Sequence, residues 1–283
     1  MLSGPFLPKN WIGASEDFES SKWVLVGMPY DGTCSNRPGA RFAPETVRLA
    51  SWGLEDYSPI QNKEINDVAF FDAGELEFPL GNRDKTLDII KNAAAETLSL
   101  GKFWFGIGGE HLVTYPVIEA YLEKYPDLAV IQFDAHADLR DEYLGETLSH
   151  ATVMRRIVDK IGAERFVQIG VRSGTKEEFE WMKANKTLLD NKSQVQEALR
   201  KLAGRPVFIS VDLDVLDPSI MSGTGTPEAG GMSFDELRCW LFEFKGQNIV
   251  GADVVELAPH YDQSGVSTAV AAKVIREMLI FVS

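Results

Sequence analysis

The chain has 283 residues, 45% of them hydrophobic and 25% charged, an ordinary globular composition with enough length to bury a large core. Its net charge of −14 disfavours nucleic acid and anionic membrane surfaces as partners and favours a cationic small molecule. No apolar segment approaches the roughly 20 residues a membrane-spanning helix needs, and Met1-Leu2-Ser3-Gly4-Pro5 lacks the basic and apolar regions of a signal peptide, so a cytoplasmic location is expected.

Cys34 and Cys239, the only cysteines, form no C-x-x-C pair and read as small buried residues in a reducing compartment. After an irregular arm over residues 1–22, the apolar run at 22–27 predicts a first strand, which feeds the loop from Asp31 to Gly39. Pro44 suits the first turn of a helix over 45–50. A strand at 68–71, a helix at 84–100 stopped by Gly101 and a strand at 103–107 follow. Helix 111–124 then leads to the β-branched and aromatic strand at 130–133, and helix 150–161, closed by Gly162, leads to strand 165–171. Thr175 with Glu178 forms a capping box for the next helix, and another helix around 194–202 precedes the strand at 207–211. Ser233 with Glu236 caps a helix over 237–244; strand 249–255 and helix 267–281 finish the chain. Strands alternating with helices of this length imply an α/β fold with a mostly parallel sheet covered on both faces, in one domain spanning 1–283.

The strand Val130-Ile131-Gln132-Phe133 runs straight into Asp134, His136 and Asp138, three metal-binding side chains spaced two apart. Open α/β sheets place their ligands beyond the carboxyl ends of their strands. A second acidic cluster, Asp212 and Asp214, ends another apolar strand, and same-face aspartates two apart on a strand repel unless a cation neutralises them. The alternative is that the strand has already ended and these acids are solvated. The third piece, Gly106-Ile107-Gly108-Gly109-Glu110-His111, superficially matches a dinucleotide loop, but His111 stands where its third glycine belongs. Its glycines instead let the backbone pass close to a site into which His111 points. Six ligands, His111, Asp134, His136, Asp138, Asp212 and Asp214, are too many for one catalytic metal with an open position. Two ions sharing carboxylates would use them all, and the preponderance of oxygen donors favours two Mn²⁺. Such a pair lowers the pKa of bound water from about 15.7 toward neutrality, which indicates hydrolysis by a bridging hydroxide.

Gly108-Gly109-Glu110-His111, Asp134-Ala135-His136-Ala137-Asp138 and Ser210-Val211-Asp212-Leu213-Asp214 resemble, in order and spacing, the three signatures of the ureohydrolases, arginases and agmatinases. The segment from Asp217 to Gly231, with Gly223-Thr224-Gly225-Thr226-Pro227, belongs to the same likeness. This resemblance implies a three-layer α/β/α sandwich around a mostly parallel eight-stranded sheet, and a homo-oligomer of three or six chains. It implies one ion held by His111, Asp134, Asp138 and Asp212, and another by Asp134, His136, Asp212 and Asp214. Val254-Val255-Glu256-Leu257-Ala258-Pro259 resembles the family's guanidinium-holding segment, although Glu256 alone could equally be a capping or solvated acid. Ser149-His150-Ala151-Thr152 resembles the stretch whose histidine passes a proton to the leaving amine.

The catalytic set expected is therefore His150, Glu256 and Asp138. Ala151, Glu110 and Ser222 depart from common family residues, and none is an expected ligand. His260 is expected to be structural. Arginases hold the amino-acid end of arginine with an Asn- and Ser-rich loop, whereas this chain has Leu139-Arg140-Asp141-Glu142-Tyr143. Asp141 and Glu142 would suit an amine, so the substrate expected is agmatine, hydrolysed to putrescine and urea. The runner-up is guanidinobutyrate or arginine, with Arg140 as carboxylate partner if it faces the pocket. From another class, a metal-dependent deacetylase of acylated amines would keep only one ion.

Overall fold

The computed structural model describes residues 10–15 and 17–283, so part of the expected N-terminal arm, residues 1–9 and 16, lies outside the described residues. The elements are β1 (Trp23–Met28), α1 (Ala43–Ser51), β2 (Tyr57–Ser58), β3 (Lys63–Glu64), β4 (Phe70–Glu75) and α2 (Arg83–Ser99). Then come β5 (Phe103–Gly108), α3 (Thr114–Lys124), β6 (Ala129–Phe133), α4 (Val153–Ile161), β7 (Phe166–Ile169) and α5 (Lys176–Asn185). The chain closes with β8 (Leu188–Leu189), α6 (Val195–Leu202), β9 (Pro206–Asp212), α7 (Phe234–Phe242), β10 (Asn248–Val255) and α8 (Val266–Val282).

Eight strands form one sheet in the order β4-β1-β5-β10-β9-β6-β7-β8, and every pairing in it is parallel. The period-2 geometry of a strand sends alternate side chains to opposite layers. Leu25, Ile131 and Phe133 join a core with α1, α6, α7 and α8. Val24, Val26 and Val130 join a second core with α2, α3 and α4. The result is the expected three-layer α/β/α sandwich.

Both capping boxes form. The Thr175 hydroxyl accepts from the Glu178 amide at 3.2 Å while Glu178 accepts from the Thr175 amide at 2.7 Å, and Ser233 and Glu236 do the same at 3.2 and 2.8 Å. Residues 111–124 and 150–161 each begin with a 3₁₀ turn, so the α-helix proper starts at Thr114 and Val153. The edge strand β8 and the hairpin β2–β3 escaped the sequence reading because two-residue strands carry no usable periodicity.

Strand order determines where a site can sit. The chain builds leftward from β1 to β4, returns to β5, then leaves a gap of two strands before β6, and β9 and β10 later fill that gap. Such a topological switch point opens a crevice beyond the carboxyl ends of the strands. The four strands that meet there are β5, β10, β9 and β6, and they end at Gly108, Val255, Asp212 and Phe133.

A buried ion pair fixes the rim. Arg48 of α1 points its guanidinium at Asp72 of β4 with N–O distances of 2.9–3.2 Å, and Asp72 also accepts from the Trp11 amide at 2.8 Å. Both side chains are buried, so removing one partner strands a charge in low dielectric. Arg48→Met should therefore cost about 3–5 kcal/mol in urea unfolding, and adding Asp72→Leu should recover much of it; a single variant as stable as the parent would contradict this.

Candidate metal centre

Asp134 sits at the middle of the site. It follows the last residue of β6, and its Oδ1 accepts from the His136 amide at 2.6 Å while its Oδ2 accepts from Gln132 Nε2 at 2.7 Å. Gln132 is in turn held by Gln168 Nε2 at 2.8 Å, and Gln168 accepts from the Thr187 hydroxyl at 3.0 Å. A line of neutral donors reaching across β7 thus aims the Asp134 carboxylate.

His111 reaches the same place from β5. Gly109 is required for this, since a Cβ there would lie 1.9 Å from the Tyr30 carbonyl oxygen. The close approach lets the Gly109 and Glu110 amides bond to the Met28 and Tyr30 carbonyls at 2.8 and 2.7 Å, which turns the chain into the site. His111 Nδ1 then lies 3.0, 3.4 and 3.3 Å from oxygens of Asp134, Asp138 and Asp212. His136 Nδ1 lies 2.9 Å from Asp214 and 3.6 Å from the other Asp134 oxygen.

Asp212 and Asp214 converge, but by a different route from the one expected. β9 ends at Asp212, whose Oδ1 caps the Asp214 amide at 2.8 Å and folds residues 213–215 into a 3₁₀ turn. Both acids stay buried. The turn, and not strand alternation, brings them to one side, and Asp214 Oδ1 is further held by the Ala135 amide at 3.1 Å.

Two triads that could hold a metal ion share one member: His111, Asp134 and Asp212, all buried, and Asp134, His136 and Asp214, of which His136 is partly exposed. Electrostatics shows what such a cluster lacks. Burial, then the Asp214 and Asp134 charges, hold Asp212 well above the usual carboxylate range, and burial followed by Asp134 pushes Asp138 up to about 7. Burial alone would lower His136, yet Asp214 and Asp134 push it up to about 12. The ring of His111 gives the sharper test. Its Nε2 lies 2.9 Å from the Ser210 hydroxyl, which itself donates to buried Asp253 at 2.7 Å, so Nε2 carries the hydrogen. Nδ1 then presents a lone pair to three carboxylates, buried and without a hydrogen-bond partner. Either a proton or a metal ion at Nδ1 satisfies that arrangement, and with four carboxylates around two imidazoles the residues fit a metal.

The cluster opens into a cavity of about 230 Å³ lined in part by Ser35, Arg140, Tyr143, His150, Glu178 and Glu256. Glu256 follows β10 with a left-handed φ of 69°, and Asp138 has a φ of 54°. Such strain in non-glycine residues costs about 1–3 kcal/mol and gathers at functional sites. Glu256 Oε1 accepts from the His111 amide at 2.7 Å. Burial holds the His150 imidazole below its usual pKa. Its Nδ1 is 3.4 Å from the Thr33 hydroxyl and its Nε2 3.1 Å from Ser35. Glu110, behind them, accepts from Thr33 N and Oγ1 at 2.8 and 2.5 Å, and burial raises it to about 7.

Asp141 and Glu142 are a correction. The loop runs outward after Asp138, so both are exposed; Asp141 meets Arg155 and Arg156 of α4 at 3.3 and 3.4 Å and does not line the cavity. Besides Asp138, Asp212 and Glu256, the acid that lines it is Glu178, read from sequence only as a cap, which accepts from the Leu139 and Thr175 amides at 2.8 and 2.7 Å. Arg140 does line the cavity, its guanidinium 4.9 Å from the Tyr143 ring. Ser35 and Thr33 were also missed. The loop that carries them was visible, yet hydroxyls in a loop announce no role. His260 lies away from the cluster, packed edge-on against Phe42 with ring centroids 4.6 Å apart.

The chain is similar to known proteins over nearly its whole length. A family model described as the arginase family matches residues 21–281. An agmatinase of Bacillus cereus is 48% identical over 277 residues, covering 96% of each chain, and one of Bacillus subtilis is 47% identical with the same coverage. The crystal structure of an agmatine ureohydrolase of Thermoplasma volcanium superposes with a TM-score of 0.86 at 29% identity, covering 98% of this chain and 95% of that one. A proclavaminate amidino hydrolase from Streptomyces clavuligerus does so at 0.89 and 27%, covering 98% and 97%. The chain belongs to the arginase family, and it is a hydrolase of guanidino C–N bonds.

Outer partners of a metal-binding histidine matter for affinity. Ser210→Ala removes the hydroxyl between His111 and Asp253, and metal affinity measured by chelator competition should fall about 10- to 100-fold. Unchanged affinity would mean that the relay does not set the His111 ring.

Proposed function

We propose that the chain is an agmatinase, a hydrolase that converts agmatine to putrescine and urea with two Mn²⁺ ions bound, residues 1–283 acting as one catalytic domain. The observation that carries the substrate is that, besides the proposed ligands Asp138 and Asp212, the cavity beside the acid–histidine cluster is lined by two buried carboxylates, Glu256 and Glu178. A molecule with a cation at each end fits that pattern. The names and 44–48% identities of the agmatinase relatives support the same reading.

In this reading His111, Asp134, Asp138 and Asp212 hold one ion and Asp134, His136, Asp212 and Asp214 the other. The pair would supply a water-derived nucleophile near neutral pH by lowering the pKa of bound water. Glu256 holds the guanidinium by a charge-assisted contact, which fixes the carbon to be attacked. His150 moves a proton to the departing nitrogen, which otherwise leaves as a poor leaving group. Glu178 accepts from two backbone amides and has Arg140 Nε 4.0 Å from its Oε2, so of its roughly four acceptor positions it retains capacity for an ammonium at the distal end in competition with Arg140. A cytoplasmic homo-oligomer of three or six chains belongs to this reading. Exposed Phe42, Leu49 and Val266 offer apolar surface for a second copy, and no described helix is long and apolar enough to cross a membrane.

A second reading rests on Arg140. Its place in the cavity wall would suit the carboxylate of guanidinobutyrate or arginine. Urea release from agmatine, arginine and guanidinobutyrate at equal concentration separates the two. Agmatine should have the highest kcat/KM, and equal or better turnover of either acid would replace the first reading by the second. If Glu178 holds the amine, Glu178→Gln should raise KM for agmatine roughly 10- to 150-fold, the equivalent of a charged hydrogen bond, with a smaller change in kcat.

A further inference from the structure

The loop between β1 and α1 places two hydroxyls on either side of one imidazole. Thr33 contacts His150 Nδ1 at 3.4 Å and accepts from the His150 amide at 3.1 Å, while Ser35 Oγ lies 3.1 Å from His150 Nε2 at the cavity wall. Behind Thr33 stands Glu110, fully buried, receiving the Thr33 amide at 2.8 Å and the Thr33 hydroxyl at 2.5 Å. We infer that Thr33, held by Glu110, is a positioning residue that fixes the His150 tautomer so that Nε2 is the bare nitrogen facing the cavity. This rests on the proton-transfer role proposed above for His150.

The argument is a donor count. A threonine hydroxyl has one hydrogen and two acceptor positions. Its hydrogen goes to Glu110, so toward His150 the oxygen can only accept. It accepts from the backbone N–H, and the nearby Nδ1 completes the arrangement only if it too carries hydrogen. A neutral imidazole protonated at Nδ1 has its lone pair on Nε2, and there the Ser35 hydroxyl is placed to donate until a substrate nitrogen or water takes its place. A proton accepted from the cavity therefore arrives on Nε2 and leaves from the same atom. The opposite tautomer, which would aim an N–H at the cavity, leaves Nδ1 bare against an oxygen with no hydrogen to offer. Glu110 thus acquires a part through Thr33, although it lies outside the expected ligand set.

Replacing Glu110 by its amide reverses the relay without removing an atom. The amide oxygen must stay on the Thr33 N–H, so the NH₂ group faces the Thr33 hydroxyl, which then turns its hydrogen toward His150 Nδ1. With only four histidines in the chain, long-range ¹H–¹⁵N correlation on metal-free, ¹⁵N-histidine-labelled protein at about pH 8, with His150→Gln for assignment, reads the tautomer directly. The parent and Thr33→Ser should show Nδ1-protonated His150, and Glu110→Gln should show the Nε2-protonated form. An Nε2-protonated parent, or no change in Glu110→Gln, overturns the inference. On the manganese-supplemented enzyme with agmatine, Thr33→Val should lower kcat about 10- to 100-fold, part of the range for general acid–base catalysis. KM and metal content should stay within about threefold, and Thr33→Ser should recover most of the loss. Thr33→Val at parental kcat, or Thr33→Ser no better than Thr33→Val, also overturns it. If the parent releases urea from no guanidino compound, the proposed function falls while the tautomer measurement still decides this inference.

Discussion

The structure depends on one electrostatic constraint: four aspartates converge in a buried space where carboxylates repel and where water cannot screen them. Asp134, Asp212 and Asp214 are almost fully buried, and Asp138 nearly so. Two charges at about 4 Å interact by about 4 kcal/mol at the effective dielectric of a protein site, so a cluster of this kind is sustained only by compensating positive charge. The two imidazoles cannot supply all of it, because even with both protonated they bring two positive charges against four carboxylates. Fold, backbone strain and outer hydrogen bonds all serve to hold these groups together.

A parallel sheet is suited to that task. Its central strands are covered on both faces, and all its strands deliver their carboxyl ends to the same edge. The order β5-β10-β9-β6 places four ends side by side and contributes His111, Glu256, Asp212 and Asp134 within a few residues of those ends. Neutral groups then aim the functional ones: Gln132 and Gln168 at Asp134, Ser210 at His111, and Thr33 at His150. Behind two of these hydroxyls stand further buried acids, Asp253 behind Ser210 and Glu110 behind Thr33, which fix the direction in which each hydroxyl donates.

Much of this was legible in the sequence, for identifiable reasons. The apolar runs that end abruptly in Asp134-x-His136-x-Asp138 and Asp212-x-Asp214 mark both a covered strand and the point where it stops. What was not legible depends on tertiary direction. Asp212 and Asp214 face one way because a side-chain cap folds a turn, a detail that strand periodicity does not carry. Asp141 looked like a pocket acid because it follows the motif closely in sequence, yet arginines of α4 hold it outside. Glu178 looked like a cap, and it is one, but its helix begins at the cavity wall and the same carboxylate serves both places. No local pattern distinguishes these cases, since each is decided by an element distant in sequence.

The central claim is that this cluster is built around two cations with Asp134 shared between them. Its most direct test is titration of metal-free protein with Mn²⁺, followed by elemental analysis of the dialysed complex and by thermal unfolding. Two ions per chain should bind, and Tm should rise as they do, because ligands that bind only the folded state stabilise it. A single ion per chain in fully active protein, or binding that leaves stability unchanged, would contradict the account.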